Sequence, residues 1–465
     1  MRHTGMLGTF YVCVWLLAAS TAAAQGWTLV GDFPSTMVVV TSKYTPSNAT
    51  PDWRAWQRLV YDPVQGGMLA TLGNPNCCGG VYGNSVFVYH VATNTWQLLW
   101  SHTTAGRGGR QVITAINRTS GVVSVSLQNP LSWPTDPTIL IAVGINFVSD
   151  PSFNGGPVLV NLVDNKHFTF PQSGPDATPS CTTTNGTPNC GTAFGVIGTP
   201  DAPGDGHQYH AKAWDTTRNI LWIAFGTAAA TASNFNGFGT DDRSHNMYML
   251  DTSSGVGVWK QVCGDFAGRC ANPGNQESTL VYDSMADTLI IAGGEYGGTG
   301  SAQTWEYVPS TNTWTRICTD PPGPKTCPIP RLDAPGLVYD PSLKKSVLFG
   351  GRTVGKVLNT ATWLYDSATH TWAQALTTTN PPGTEFPIMD YVPRLGEIIA
   401  IGAETTGAHV WAFNGDWHDL GITPGPNLSL RNSAQSEGGY DQTADRFVVF
   451  TNAPSGKQIW SLQLP

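Results

Sequence analysis

Short apolar runs separated by clusters of turn-forming residues dominate the chain from residue 53 onward. The clearest unit spans Ser278 to Cys318: STLVYD, a short turn, TLIIAGG, a glycine-rich loop, then TWEYVPSTNTWTRIC. The next stretch, Gly336 to Leu376, repeats it as GLVYD, SVLFGG and TWLYDSATHTWAQAL. Each copy holds four runs of β-branched, aromatic and aliphatic residues bounded by turn formers, which predicts a four-stranded antiparallel sheet. A sheet of this kind cannot bury both faces alone. Copies must stack, and a closed ring stacks them without leaving a weak end.

Weaker copies extend the series. Residues 59 to 96 give LVYDP, MLATLG and VFVYHVATNTW; Trp214 and Asp215 stand in for Tyr-Asp in AWDTTRNILWIAFG, a unit that closes at Trp259; further units start at Tyr391 and Tyr440. The anchors at 61, 214, 282, 339, 391 and 440 leave one long gap. A hidden copy is expected there, on QVITAIN, GVVSVSL, PVLVNLVDN and HFTF between Gln111 and Phe170, which makes seven blades. The last unit supplies three strands, and GWTLV, around Trp27 to Val30, is expected to complete it as the fourth. Asp62, Asp251, Asp283, Asp340 and Asp366 recur with the repeat and read as turn residues.

Charge narrows the function. Of 465 residues, 24 are Lys or Arg and 32 Asp or Glu, a net charge of -8 with 12% charged residues, against about 25% in a typical soluble domain. A nucleic-acid binder working by bulk charge is excluded, as is a disordered acidic tail. Residues 1–24 read as a secretory signal peptide: Arg2 and His3, an apolar run from Phe10 to Ala19, then Ala22, Ala23 and Ala24, with cleavage before Gln25. The apolar run is shorter than the roughly 20 residues of a spanning helix, so a secreted chain without a membrane partner is expected, as one domain over 25–465. Cys13 leaves with the leader. Eight cysteines remain for an oxidising compartment. Their spacing suggests the local pairs Cys181 with Cys190, Cys263 with Cys270, and Cys318 with Cys327. Adjacent Cys77 and Cys78 can bond only in a strained ring, so they bond, stay free or pair elsewhere. Zinc is the competing reading, against which stands the lack of CxxC pairs.

The glycine pairs Gly293-Gly294 and Gly350-Gly351, the tyrosines at 282 and 339, and the tryptophans at 96, 259, 314, 372 and 417 give the chain its resemblance to the kelch-repeat β-propeller family, of the type found as the central propeller of galactose oxidase. The resemblance implies an all-β, seven-bladed kelch-type propeller of four-stranded antiparallel blades, with aromatic residues packed between blades. It is strict in two blades. Elsewhere single glycines such as Gly73 and Gly402 replace the pair, and the copy within 111–170 has neither the glycine pair ending its second run nor a tryptophan in its closing run.

If the first strand of each blade lines the channel, the connections entering it share one side with the loops leaving the second strand. All eight mature cysteines are expected on that side, with long insertions at 129–157, 171–209 and 227–246. Arg54, Arg58, Arg107, Arg110, Arg331 and Arg431 precede or begin inner strands there, and Arg243 and Arg352 sit in loops on the same side. Lys344, Lys345, Arg118, Arg218, Arg394 and Arg446 fall in the opposite hairpins. Arginines around a mouth suit a carboxylate or sulfate ligand; the plain alternative is pairing with Asp52, Glu277, Asp333, Glu385 and Glu437.

The densest candidate site is GDGHQYHAK, in which His207, Tyr209 and His210 lead into an inner strand, with Asp241, Asp242, Arg243 and His245 in a loop of the same blade. Three chemistries fit. In a polysaccharide lyase, His210 or His207 removes the proton α to a uronic carboxylate, Tyr209 acts as acid, and Arg110, Arg243 or Arg58 stabilises the enolate, with Arg54 and Arg331 as further substrate contacts. Tyr209-His210 also resembles the pair of copper-radical oxidases, but the spare thiol and the order along the chain do not fit. Third, His207, His210 and Asp241 or His245 suit a structural metal ion; no other cofactor is implied. The plain alternative is a polar strand entrance. The function expected is recognition of an extracellular glycan, with or without cleavage; the alternative is a module that binds carbohydrate or protein.

Overall fold

The structure is a computed structural model that describes residues 26–32, 58–71, 86–100, 108–130, 141–184, 186–197, 206–207, 211–224, 227–228, 247–263, 270, 277–296, 299–323, 325–404, 407–422, 425–426, 437–453 and 456–465. Among these the fold is all-β, with one short 3-10 turn at Pro151–Phe153. Six four-stranded antiparallel sheets follow one another along the chain. Their first strands are Val60–Asp62, Lys212–Asp215, Thr279–Asp283, Gly336–Asp340, Ile388–Val392 and Glu437–Asp441. Each packs against the next, and the sixth returns to the first, so the sheets close a ring. The sixth sheet is completed by Gly26–Asp32, which pairs antiparallel with Gly456–Gln463. The expectation for GWTLV holds.

The repeat encodes the turns. After the first strands, Asp62, Asp215, Asp283 and Asp340 each accept backbone N–H groups from the residues two and three positions on. Asp251 and Asp366 each accept from the residue two positions on at second hairpins. Four residues past each first strand's end the chain turns left-handed, at Gly66, Asn219, Asp287, Lys344, Gly396 and Asp445. Asn94 and Asn312 take that conformation again two residues before Trp96 and Trp314, and their side chains accept from Tyr89 and Tyr307. Those tyrosines lie 4.7 and 4.8 Å from the tryptophan rings. Between sheets, the Trp372 indole donates to Thr304 and that of Trp417 to Thr362. These indoles fasten the fourth sheet to the third and the fifth to the fourth.

Residues 108–197 require a correction. Instead of a seventh four-stranded sheet they form a closed barrel of six strands, in the order His167–Pro171, Val122–Leu127, Gly108–Thr119, Thr192–Ile197, Ile141–Asn146 and Gly155–Leu162. The four apolar runs are strands, as expected, but the fourth lies between the second and the third. The reason is the length of the first strand: over twelve residues it pairs with a different partner on each edge, which curls the sheet until its ends meet. Ile116, Val123, Val125, Val143, Ile145, Phe168 and Phe170 fill the interior. The ring is therefore six sheets, not seven, and the expected loops 129–157 and 171–209 contain barrel strands. Arg110 and Arg118 belong to the barrel rather than to a blade.

Cys181–Cys190, Cys263–Cys270 and Cys318–Cys327 are bonded as the spacing suggested. The last two brace connections into the third and fourth sheets. The first lies within the barrel segment. Cys77 and Cys78 lie outside the described residues, as does the leader 1–24. No helix among the described residues is long and apolar enough to cross a membrane.

Candidate functional site

The side of the ring on which first strands begin is called here the near side, and the hairpin side the far side. Far-side charges neutralise one another. Arg218 meets Asp215 at 2.8 Å and Asp287 at 2.6 Å, Arg394 meets Asp445 at 2.9 Å, and Lys345 meets Asp366.

Near the third to fifth sheets the balance differs. Glu277 stands two residues before the third sheet's first strand, and Asp333 three before the fourth's. Glu295 and Arg352 follow the glycine pairs Gly293-Gly294 and Gly350-Gly351. The pairs have left-handed backbones, and a Cβ at Gly350 would lie 2.6 Å from the Thr384 carbonyl oxygen. Glycine there lets the loop lie against the connection that carries Glu385. A two-residue ladder, Leu332–Asp333 with Arg352–Thr353, sets Asp333 opposite Arg352. Arg352 contacts Asp333 Oδ2 and lies 3.4 Å from Glu385 Oε1. One oxygen from each of Glu277, Glu295 and Asp333 lies within 4.8 Å of the others. Burial, then the neighbouring Asp333, holds the Glu277 carboxyl well above the usual carboxylate range.

Beside Glu385 the surface opens into a depression of about 260 Å³, measured out to open solvent and lined by Phe349, Pro381, Pro382, Thr384, Pro387, Ala400, Gly402, His409 and Trp411. The Trp411 ring is half-buried, and its buried indole nitrogen has no acceptor among the described residues. Thr384 lines the depression while Glu385 touches Arg352. The aromatic hollow and the carboxylates therefore form one continuous near-side surface across the third, fourth and fifth sheets.

The residues singled out from sequence are distributed differently. Arg58 donates to Asp390 Oδ1 at 2.6 Å and to the Leu337 carbonyl at 3.4 Å. Those partners belong to the fifth and fourth sheets, so the guanidinium reaches across the middle of the ring. Arg331 donates to the Gly300 carbonyl at 2.8 Å and lies 3.8 Å from Asp320. Arg352 meets Asp333 and Glu385, two of the partners the plain alternative named, whereas Arg58 and Arg331 meet Asp390 and Asp320, which it did not name. His207 lies in a two-residue ladder with Thr227, in the second sheet's counterpart of the Asp333–Arg352 ladder. Arg54, Tyr209, His210, Arg243 and His245 lie outside the described residues. Nearby, Lys212 is buried. Burial lowers its ammonium to about 7, against the opposing pull of Glu437.

Sequence reasoning named Glu277, Asp333 and Glu385 only as partners for arginines, and missed Glu295 and Trp411. One signal was present: Gly-Gly-Glu and Gly-Gly-Arg occupy the same repeat position in consecutive units, so Glu295 and Arg352 leave neighbouring sheets at one level. No family model matches the chain, and no curated protein matches it. Among solved structures the chain is similar to that described as "Structure of YjhT", with 12% identity and a TM-score of 0.36 over 54% of this chain and 73% of that one.

Proposed function

We propose that the chain is an exported kelch-type propeller of six blades, carrying an inserted barrel, whose near side recognises an extracellular glycan. The observation that carries this reading is the continuity of the aromatic hollow at Trp411 with the polar patch of Glu385, Arg352, Asp333 and Glu277. A sugar ring has an apolar C–H face and a rim of hydroxyls. It asks for an aromatic or proline wall beside fixed carboxylates and guanidinium groups, with a few polar contacts setting orientation. The half-buried Trp411 ring offers an apolar face to the C–H groups of a sugar. The leader-like start and the disulfides agree with export.

Cleavage by a lyase mechanism would draw on His207, Tyr209, His210 and His245 at the second sheet, with Arg54, Arg58, Arg110, Arg243 and Arg331 as carboxylate contacts. Arg58 is committed to Asp390 inside the ring, Arg110 lies in a barrel strand and Arg331 donates to the Gly300 carbonyl, which leaves Arg54 and Arg243 for that role. The discriminating experiment is a glycan array of neutral and uronic-acid oligosaccharides. Alongside it runs an ultraviolet assay for unsaturated product. Binding without product supports a recognition module, and product formation supports the lyase. An array with no bound glycan overturns the reading. For a glycan that binds, Trp411→Ala is expected to weaken affinity about tenfold or more, the loss of roughly 1.4 kcal/mol of contact.

A further inference from the structure

We infer that Glu277, Glu295 and Asp333 form a binding site for a hard divalent cation, with calcium as the best fit, at the near side of the third and fourth sheets. The three side chains come from separate segments: the approach to one first strand, the loop after a second strand, and the approach to the next first strand. One oxygen from each lies within 4.8 Å of the other two. Ligands bound 2.3–2.6 Å from one calcium ion can be at most roughly 5 Å apart, whereas magnesium at 2.0–2.1 Å demands a tighter set. The donors are all carboxylate oxygens, which suit calcium, magnesium or manganese rather than zinc or copper.

A second observation separates this cluster from an ordinary acidic patch. Asp333 is only 5% exposed, Arg352 contacts its Oδ2, and its Oδ1 is buried with no donor among the described residues. A carboxylate oxygen withdrawn from water with nothing to accept is costly. Beside Asp333 stand the carboxyls of Glu277 and Glu295, and a cation shared by the three would serve as that partner. Arg352 does not fill that role. It lies between Asp333 and Glu385 and contacts Oδ2 of the former. A bound cation would tie the connections into two neighbouring sheets to the loop bearing Glu295.

The inference does not rest on sugar recognition, because the metal alone is the probe. Calcium chloride is titrated into the full chain after chelator treatment, with heat of binding and thermal unfolding as readouts. The expected result is saturable binding and a higher unfolding midpoint, with magnesium weaker. Glu295→Gln, which leaves the Arg352–Asp333 pair intact, is expected to weaken calcium binding by about tenfold or more, and Glu277→Gln likewise, since affinity follows ligand charge. Asp333→Asn also removes the partner of Arg352 and risks the fold, so Glu295→Gln decides. No calcium binding by the unaltered chain, or wild-type affinity in both glutamine variants of correctly folded protein, overturns the inference.

Discussion

Arg58 reads in the sequence as a residue of the channel mouth, and it is there, but its guanidinium is used inside the ring. Its side chain is 14% exposed and that of Asp390 19%. Removing one partner of such a pair strands the other charge, so Arg58→Ala is expected to destabilise the chain by roughly 2–4 kcal/mol in denaturant unfolding. A substrate arginine would instead lose binding with stability unchanged. Lys212 makes a pH prediction. Its folded value near 7 lies below the unfolded value of about 10.4. Between the two the unfolded chain holds a proton that the folded chain does not, so stability rises with pH across that window, by up to roughly 1.4 kcal/mol per unit. Below 7 the contribution is flat. The double substitution Lys212→Met with Glu437→Gln should remove that slope in unfolding measured from pH 7 to 10. An unchanged slope would show that Lys212 stays charged in the fold. Neither role is visible in sequence, because both depend on which sheets face each other across the ring.

At the scale of the element, the hairpins were the most legible part. The left-handed position four residues past each first strand, and Asn-Thr-Trp at the second hairpin of the first and third sheets, are local rules that a copy obeys with its own atoms. Asn312→Ala should cost about 1 kcal/mol, since it loses the Tyr307 hydrogen bond and places alanine at φ 51°. Asn312→Gly should recover the backbone part in the same unfolding assay. Gly350→Ala tests the link from scaffold to site. The added Cβ would meet the Thr384 carbonyl at 2.6 Å, so the connection lining the depression must move. Glycan affinity should then fall along with stability. The barrel was misread because apolar alternation specifies strands but not their neighbours. Val122–Leu127 alternates outward and inward as a blade strand would, and only its pairing with both Gly108–Thr119 and His167–Pro171 distinguishes the two.

For the whole molecule, ring closure depends on a strand from the opposite end of the chain. Trp27 and Leu29 pair with Leu462 and Trp460, so removing residues 26–32 leaves the sixth sheet an open edge. Such a truncation should lower the thermal midpoint of the entire ring rather than fray one end. The near-side assignment is the claim on which the functional reading depends, and it was only partly legible. Sequence placed arginines and the His207 segment there, while the hollow at Trp411 and the carboxylate trio appear only when the third, fourth and fifth sheets are set side by side. Hydrogen–deuterium exchange with a bound oligosaccharide tests this most directly. The account predicts protection over 349–353, 381–387 and 400–411, with the far-side hairpins and the barrel unchanged. Protection confined to the barrel or to the far side would contradict it.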